Sequence, residues 1–185
     1  WDPYYVGFFN MTAACLRLSR KTNAVSKRHL GVVETMWNWV KDKSEIISIT
    51  NGVCRDYWQC PEFQSASNPT ELQLAKQFHK NRLIRLIRKK NGKSFKKDVL
   101  TIVWAKRFAE YKRPYLIFFD LKWLKTPLFG HYLQVVFAGK PHPDDKIMVD
   151  TYNVICKLSQ QLPNLVVLPG YELEMSKILK AGADL

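Results

Sequence analysis

Apolar positions along this chain keep two rhythms that hand over to one another. Over residues 8–20, Phe9, Ala13, Leu16 and Arg20 recur at helical spacing, with Met11, Cys15 and Leu18 flanking them. A short extended piece at 23–26 follows. Helix signals resume over 30–41, where Val32, Val33, Met36, Trp37 and Val40 share one side. Residues 45–49 read as a strand, closed by the turn signature Thr50-Asn-Gly52. Residues 53–69 hold Pro61, Pro69 and small polar residues with little periodicity, the pattern of a linker. A long helix is predicted from about 71 to 90, with Asn91-Gly92 as its stop. From there strands and helices alternate: strand 98–104, helix 114–125, strand 132–138, helix 145–161, strand 164–168 and helix 172–181. Such alternation implies an α/β fold, a mostly parallel sheet with helices on both faces.

Composition narrows the classes. Hydrophobic residues make up 46% of the 185, too many for a disordered chain. No apolar run approaches the roughly 20 residues that span a bilayer, and Trp1-Asp-Pro-Tyr4 is not the start of a signal peptide. The opening Trp1 and the close at Ala181-Gly-Ala-Asp-Leu185 both look cut, so a fragment of a longer polypeptide is expected. Cys15, Cys54, Cys60 and Cys156 form no CxxC pair, and His29, His79, His131 and His142 show no ligand spacing. Free thiols in a reducing cytoplasm are therefore expected, and no metal. The net charge of +13, from 29 basic and 16 acidic residues, favours anionic partners. Much of it lies on the helix carrying Lys76, Lys80, Arg82, Arg85, Arg88, Lys89 and Lys90, with Lys93, Lys96 and Lys97 beyond. A solvated face, a polyanion-binding face and a contact with another part of the protein all fit that pattern.

Chemistry concentrates where strands end. The strand at 98–104 runs into Ala105-Lys-Arg-Phe-Ala-Glu-Tyr-Lys-Arg113, ahead of Pro114. Proline suits the first turn of a helix. That places Lys112 and Arg113 at a helix N-terminus, where free N–H groups and the dipole favour an anion. Arg107 can offer a planar fork to two phosphate oxygens, and Lys106 and Lys112 add point charges. The strand at 132–138 also ends in a cation, Gly139-Lys140, and glycine there permits close approach of backbone to a ligand. In a parallel sheet both ends reach one rim, where ligands collect. A solvated basic loop, or Lys140 paired with Asp144 or Asp145, would account for the same residues. No GxSxG, HExxH or Walker pattern is present.

Taken in order, these segments resemble the α-glucan (glycogen/maltodextrin) phosphorylases, especially the shorter prokaryotic type. The matching words are Phe9-Asn-Met-Thr12, Asn23-Ala-Val-Ser26 with His29, Met36-Trp37, Ile49-Thr-Asn-Gly-Val53 with Trp58, the segment 105–113, Phe137-Ala-Gly-Lys-Pro-His-Pro143 and Val166-Val-Leu-Pro-Gly-Tyr171. The resemblance implies a partial GT-B glycosyltransferase fold of two Rossmann-like domains. Residues 1–52 would end the first domain, 53–68 would cross over, and 69–185 would begin the second, cofactor-side domain. It implies phosphorolysis of terminal α-1,4-glucosidic bonds by orthophosphate to give α-glucose 1-phosphate, assisted by the phosphate of pyridoxal phosphate, whose Schiff-base lysine would lie beyond Leu185. By the resemblance Arg107 binds substrate phosphate, Lys112 bridges the two phosphates, and Lys106 contacts the cofactor phosphate. Asn51 bonds the glucosyl unit, Val25 lines its pocket, Gly139 and Lys140 belong to the substrate site, and Trp58 packs near the cofactor. The implied partners are the glucan, orthophosphate and the remainder of the same chain, with a homodimer left open and neither membrane nor specific nucleic acid. Three positions depart from the family pattern: Cys54 for His, Ala24 for Gly, and Pro169-Gly170 for Glu-Asn. The isolated fragment is expected to be inactive. A nucleotide-sugar glycosyltransferase of the same architecture and a basic nucleic-acid-binding α/β domain are the alternatives.

Overall fold

The computed structural model describes residues 7–185; the opening residues read above for a signal peptide lie outside them. The chain divides into two compact units, one through Cys54 and one from Arg55 on.

The first unit is built on two short parallel strands, β1 (Thr22–Ala24) and β2 (Ile46–Ser48), with Thr22 opposite Ile46 and Ala24 opposite Ser48. Helix α1 (Met11–Leu18) is capped by the Asn10 side chain, which accepts from the Ala13 N–H. Helix α2 (Lys27–Met36) starts earlier than periodicity suggested, because the Ser26 hydroxyl accepts from the His29 N–H and sets its first turn. It also ends earlier: Trp37 is its C-cap, and Val40 is buried from the turns that follow. Val32 and Met36 are exposed rather than facing a core. Ala13, Leu16, Ala24, Val40 and Ile46 form the core of this unit.

The second unit begins with two short helices, α3 (Arg55–Trp58) and α4 (Pro61–Ser65), inside the stretch read as a linker. Helix α5 (Pro69–Asn91) is then nucleated by the Asn68 carboxamide, which accepts from the Glu71 N–H, while the Glu71 carboxylate reaches back to Ser67. It stops where Gly92 adopts φ 78°, the left-handed conformation a glycine takes without strain. Strands β3 (Leu100–Ala105), β4 (Leu133–Ala138) and β5 (Leu165–Leu168) lie side by side in parallel. The period-two rhythm sends alternate side chains to opposite faces. On one face Val135, Phe137, Leu165 and Val167 pack with Met148 and Ile155 of α8 (Lys146–Gln161) and with Leu124 and Phe129 from α6 (Leu121–Leu124) and α7 (Pro127–Tyr132). On the other, Val136, Ala138, Val166 and Leu168 pack with Leu83 and Ile87 of α5 and with Met175 and Leu179 of α9 (Leu173–Gly182). The parallel α/β sheet with helices on both faces is therefore what the alternation implied.

One predicted element is not formed. In place of a helix over 114–125 there are 3₁₀ turns at Glu110–Lys112 and Leu116–Phe118, then the single turn of α6. Arg113 caps the first turn in the left-handed region at φ 50°, and Pro114 is buried in a turn. Lys112 and Arg113 thus lie at no α-helix N-terminus, and the dipole argument for an anion there fails.

Three lysines of the basic stretch turn inward. Lys80 Nζ donates to the Asp184 carboxylate at 2.5 Å and to the Val99 carbonyl at 2.8 Å. Asp184 also accepts from the Thr101 N–H, and Lys76 reaches its other oxygen. Lys93 Nζ donates to the carbonyls of Ser159, Leu162 and Leu165, closing the C-terminal end of α8. Arg82, Arg85, Arg88, Lys89 and Lys90 remain exposed. No helix among the described residues is long and apolar enough to cross a membrane.

Candidate functional site

The rim at the carboxyl ends of β3 and β4 is fixed by backbone pairing that continues past the strands. The Lys106 N–H donates to the Ala138 carbonyl at 3.0 Å and the Phe108 N–H to the Lys140 carbonyl at 3.2 Å. Phe108 is 1% exposed and packs its ring against Trp104, Phe137 and Tyr152. A buried aromatic thus anchors the loop from inside, leaving Lys106 and Arg107 exposed on the other side of it.

Gly139 makes this crossing of loops geometrically feasible. Its φ is 149°, and a Cβ built there would lie 1.8 Å from the Lys106 carbonyl oxygen. The close approach that requires glycine is therefore between two loops of the chain itself, and it brings the Lys140 segment against the Arg107 segment.

Between them lies a cavity of about 260 Å³ lined by Arg107, Lys140, Pro141, His142, Pro143 and Tyr171. Two cations and a histidine border this small volume beside two prolines and the Tyr171 ring, and the cations suit an anion with several oxygens. Arg107 also bonds the Tyr111 hydroxyl. That bond and the nearby Lys112 both favour the phenolate, so the Tyr111 hydroxyl is more acidic than an ordinary tyrosine. The Lys112 ammonium lies 4.9 Å from the centre of the Tyr111 ring.

Tyr171 is held from behind. Its hydroxyl meets Ala105 O at 3.4 Å and Ser176 Oγ at 3.0 Å. Ser176 also accepts from Lys180, whose ammonium lies 4.2 Å above the Trp58 ring. A polar chain therefore runs from Trp58 to the end of β3.

In the first unit, pairing also continues past the strands. The Ile49 N–H donates to Ala24 O and the Asn51 N–H to Val25 O, at 2.9 and 3.1 Å. Val25 and Asn51, separated by 26 positions, are thus neighbours at the carboxyl ends of β1 and β2, and both are exposed.

Of the residues singled out by sequence, Arg107 and Lys140 line the cavity together, Gly139 shapes it, and Val25 meets Asn51. Lys106, Lys112 and Trp58 are not among its lining residues. Tyr171 and His142 were read only as parts of sequence words, and Tyr111 likewise. Nothing in their spacing announces that β5 and the β4 loop carry them to the same rim.

The chain is similar to an uncharacterized protein of Methanocaldococcus jannaschii, at 41% identity over 180 residues covering 96% of this chain and 35% of that protein. It is similar to the glycogen phosphorylase of Aquifex aeolicus, at 33% identity over 182 residues covering 74% of this chain and 26% of the enzyme. A third similarity is to the maltodextrin phosphorylase of Thermococcus litoralis, at 27% identity over 222 residues covering 95% of this chain and 27% of the enzyme. The chain thus spans between 26% and 35% of the length of these relatives. No protein-family model matches it.

Proposed function

Since this chain is a relative of the glycogen and maltodextrin phosphorylases, we propose that it supplies the phosphate-binding portion of an α-glucan phosphorylase. Residues 1–52 would then end a first Rossmann-like domain of a GT-B enzyme, 53–68 cross over, and 69–185 begin the second domain. The observation that carries the reading is the cavity shared by Arg107, Lys140 and Tyr171 at the carboxyl rim of a parallel sheet.

Phosphorolysis forms a bond from a phosphate oxygen to the anomeric carbon and breaks the bond to the leaving sugar's O4, which takes up a proton. The attacking group is a polyanion, and its charge must be offset in a site with little water. Arg107 does this with a planar fork matched to two oxygens, and Lys140 adds a compact charge from the facing loop. Tyr171, whose hydroxyl is held by Ala105 and Ser176, closes the side of the cavity with its ring. Asn51 and Val25 are the proposed contacts for a glucosyl unit.

The proposal includes a second phosphate, that of pyridoxal phosphate. Exposed Lys106 and half-buried Lys112 are cations outside the cavity lining, next in sequence to Arg107 and to Tyr111. They would hold that phosphate, with Trp58 beside the ring. When bound, the cofactor would supply a phosphate group able to give and take a proton. Taken alone, residues 1–185 are proposed to be inactive.

The test is orthophosphate-dependent release of glucose 1-phosphate from maltodextrin by the full-length protein, beside its Arg107→Ala variant. Release that falls by about 100-fold or more in the variant is expected for loss of one transition-state charge contact. No release from folded, pyridoxal-loaded protein would overturn the reading in favour of a nucleotide-sugar transferase.

A further inference from the structure

Helix α4 opens with Cys60 at its N-cap, a position whose side chain makes no capping hydrogen bond. Pro61 follows and restricts the backbone, so Cys60 and Glu62 are held at a fixed spacing. Across from them, on α5, is His79. Its side chain is almost fully buried, and its Nε2 meets Glu62 Oε2 at 3.1 Å. The imidazole is stacked on Phe63 at 4.9 Å and met edge-on by Phe78 at 5.2 Å, so two aromatic walls set its plane. The sulfur of Cys60, a carboxylate oxygen of Glu62 and a ring nitrogen of His79 all lie within 4.8 Å of one another.

We propose that Cys60, Glu62 and His79 form a binding site for a zinc-class divalent transition metal, which ties the α3–α4 segment to α5. Thiolate, imidazole and carboxylate together form a borderline-soft donor set that suits zinc or cobalt and disfavours magnesium and calcium, which take oxygen. Zinc bonds of about 2.0–2.3 Å put ligand atoms around a tetrahedron roughly 3.3–3.6 Å apart. The His79–Glu62 separation of 3.1 Å falls about 0.2 Å short of that range, so the two groups need to part only slightly to admit an ion. The Glu62 side chain is 43% exposed and free to adjust, and a water can fill the fourth position on its side.

The charges also balance. One thiolate, one carboxylate and a neutral imidazole offset the two positive charges of the ion. The groups acting on Cys60 are Glu62, which opposes the thiolate, and Arg82 and Lys177, which favour it; burial is the largest effect and keeps the thiol protonated without a metal. Without the ion, Nε2 carries the hydrogen it gives to the Glu62 carboxylate. Binding therefore releases the Cys60 proton to solvent and shifts the His79 proton to Nδ1, freeing the Nε2 lone pair for the metal. This site needs no phosphate chemistry and stands independently of the proposed activity.

The experiment is cobalt substitution in the full-length protein after chelator treatment. The expected result is one cobalt per chain with a sulfur-to-cobalt charge-transfer band, bleached by zinc but not by magnesium. Cys60→Ser abolishes the band, and Cys54→Ser leaves it intact. Glu62→Gln weakens cobalt binding by more than about tenfold. His79 is too buried for its replacement to decide anything, so the half-exposed Cys60 carries the test, with far-UV circular dichroism confirming the fold. Absence of the band in folded wild-type protein overturns the proposal. So does a band that survives in Cys60→Ser, which would belong to another thiol.

Discussion

Gly139 carries more of the rim than any cation does. Replacing it with alanine sets a methyl group 1.8 Å from the Lys106 carbonyl and forces a φ that L-residues avoid. Gly139→Ala is expected to lower stability by about 3 kcal/mol or more, read as a fall in melting temperature, and to open the Lys106–Ala138 pairing to hydrogen exchange. Tyr111 offers a test at the same scale without turnover. Its hydroxyl is made acidic first by the Arg107 hydrogen bond and then by Lys112. In a spectroscopic titration of phenolates, Arg107→Ala should move one tyrosine back toward the ordinary value near 10. Tyr111→Phe should remove that early-titrating group. The cations were legible in the sequence because Lys, Arg and a strand end announce themselves. The groups that position them were not, since a phenol or a glycine gains its meaning only from what a distant segment brings beside it.

Elements with their own punctuation were read well. Helix α5 has asparagine at one end and glycine at the other, and both cap it as those residues should. Asn68→Ala should cost about 1 kcal/mol, measured by chemical denaturation. Glu71 adds a pH dependence. Hydrogen bonds from the Ser67 backbone and hydroxyl hold its pKa below the usual carboxylate range. Its contribution is therefore complete above the unfolded-state pKa near 4.3 and is lost as pH falls through the lower folded value. Glu71→Gln should flatten the acid limb of stability against pH. Besides the two short helices inside the expected linker, the element misread was the helix at Pro114. Proline permits a helical first turn without demanding one, and Tyr115, Leu116, Ile117, Phe118 and Phe119 form a continuous apolar run with no period to arbitrate. The left-handed Arg113 then directs the chain into a turn.

At the level of the whole molecule, each unit presents its residues of interest at the carboxyl ends of parallel strands, Val25 and Asn51 in one, Arg107 and Lys140 in the other. The net charge of +13 overstates what a polyanion would meet, because Lys76, Lys80 and Lys93 are committed to internal carbonyls and to Asp184. Sequence could not separate those lysines from their exposed neighbours, because a flexible four-carbon stem obeys no helical period. Asp184→Asn should cost about 3 kcal/mol by leaving Lys80 buried without its counter-charge, read as a lowered unfolding midpoint. The same pairing has a temporal side. Asp184 follows Lys80 by 104 positions, so at ribosomal rates the ammonium of α5 leaves the exit tunnel roughly 5–20 s before its carboxylate. During that interval α5 cannot settle on the sheet without stranding a charge. Co-translational docking of this helix is thereby postponed until the segment that edges β3 has been made.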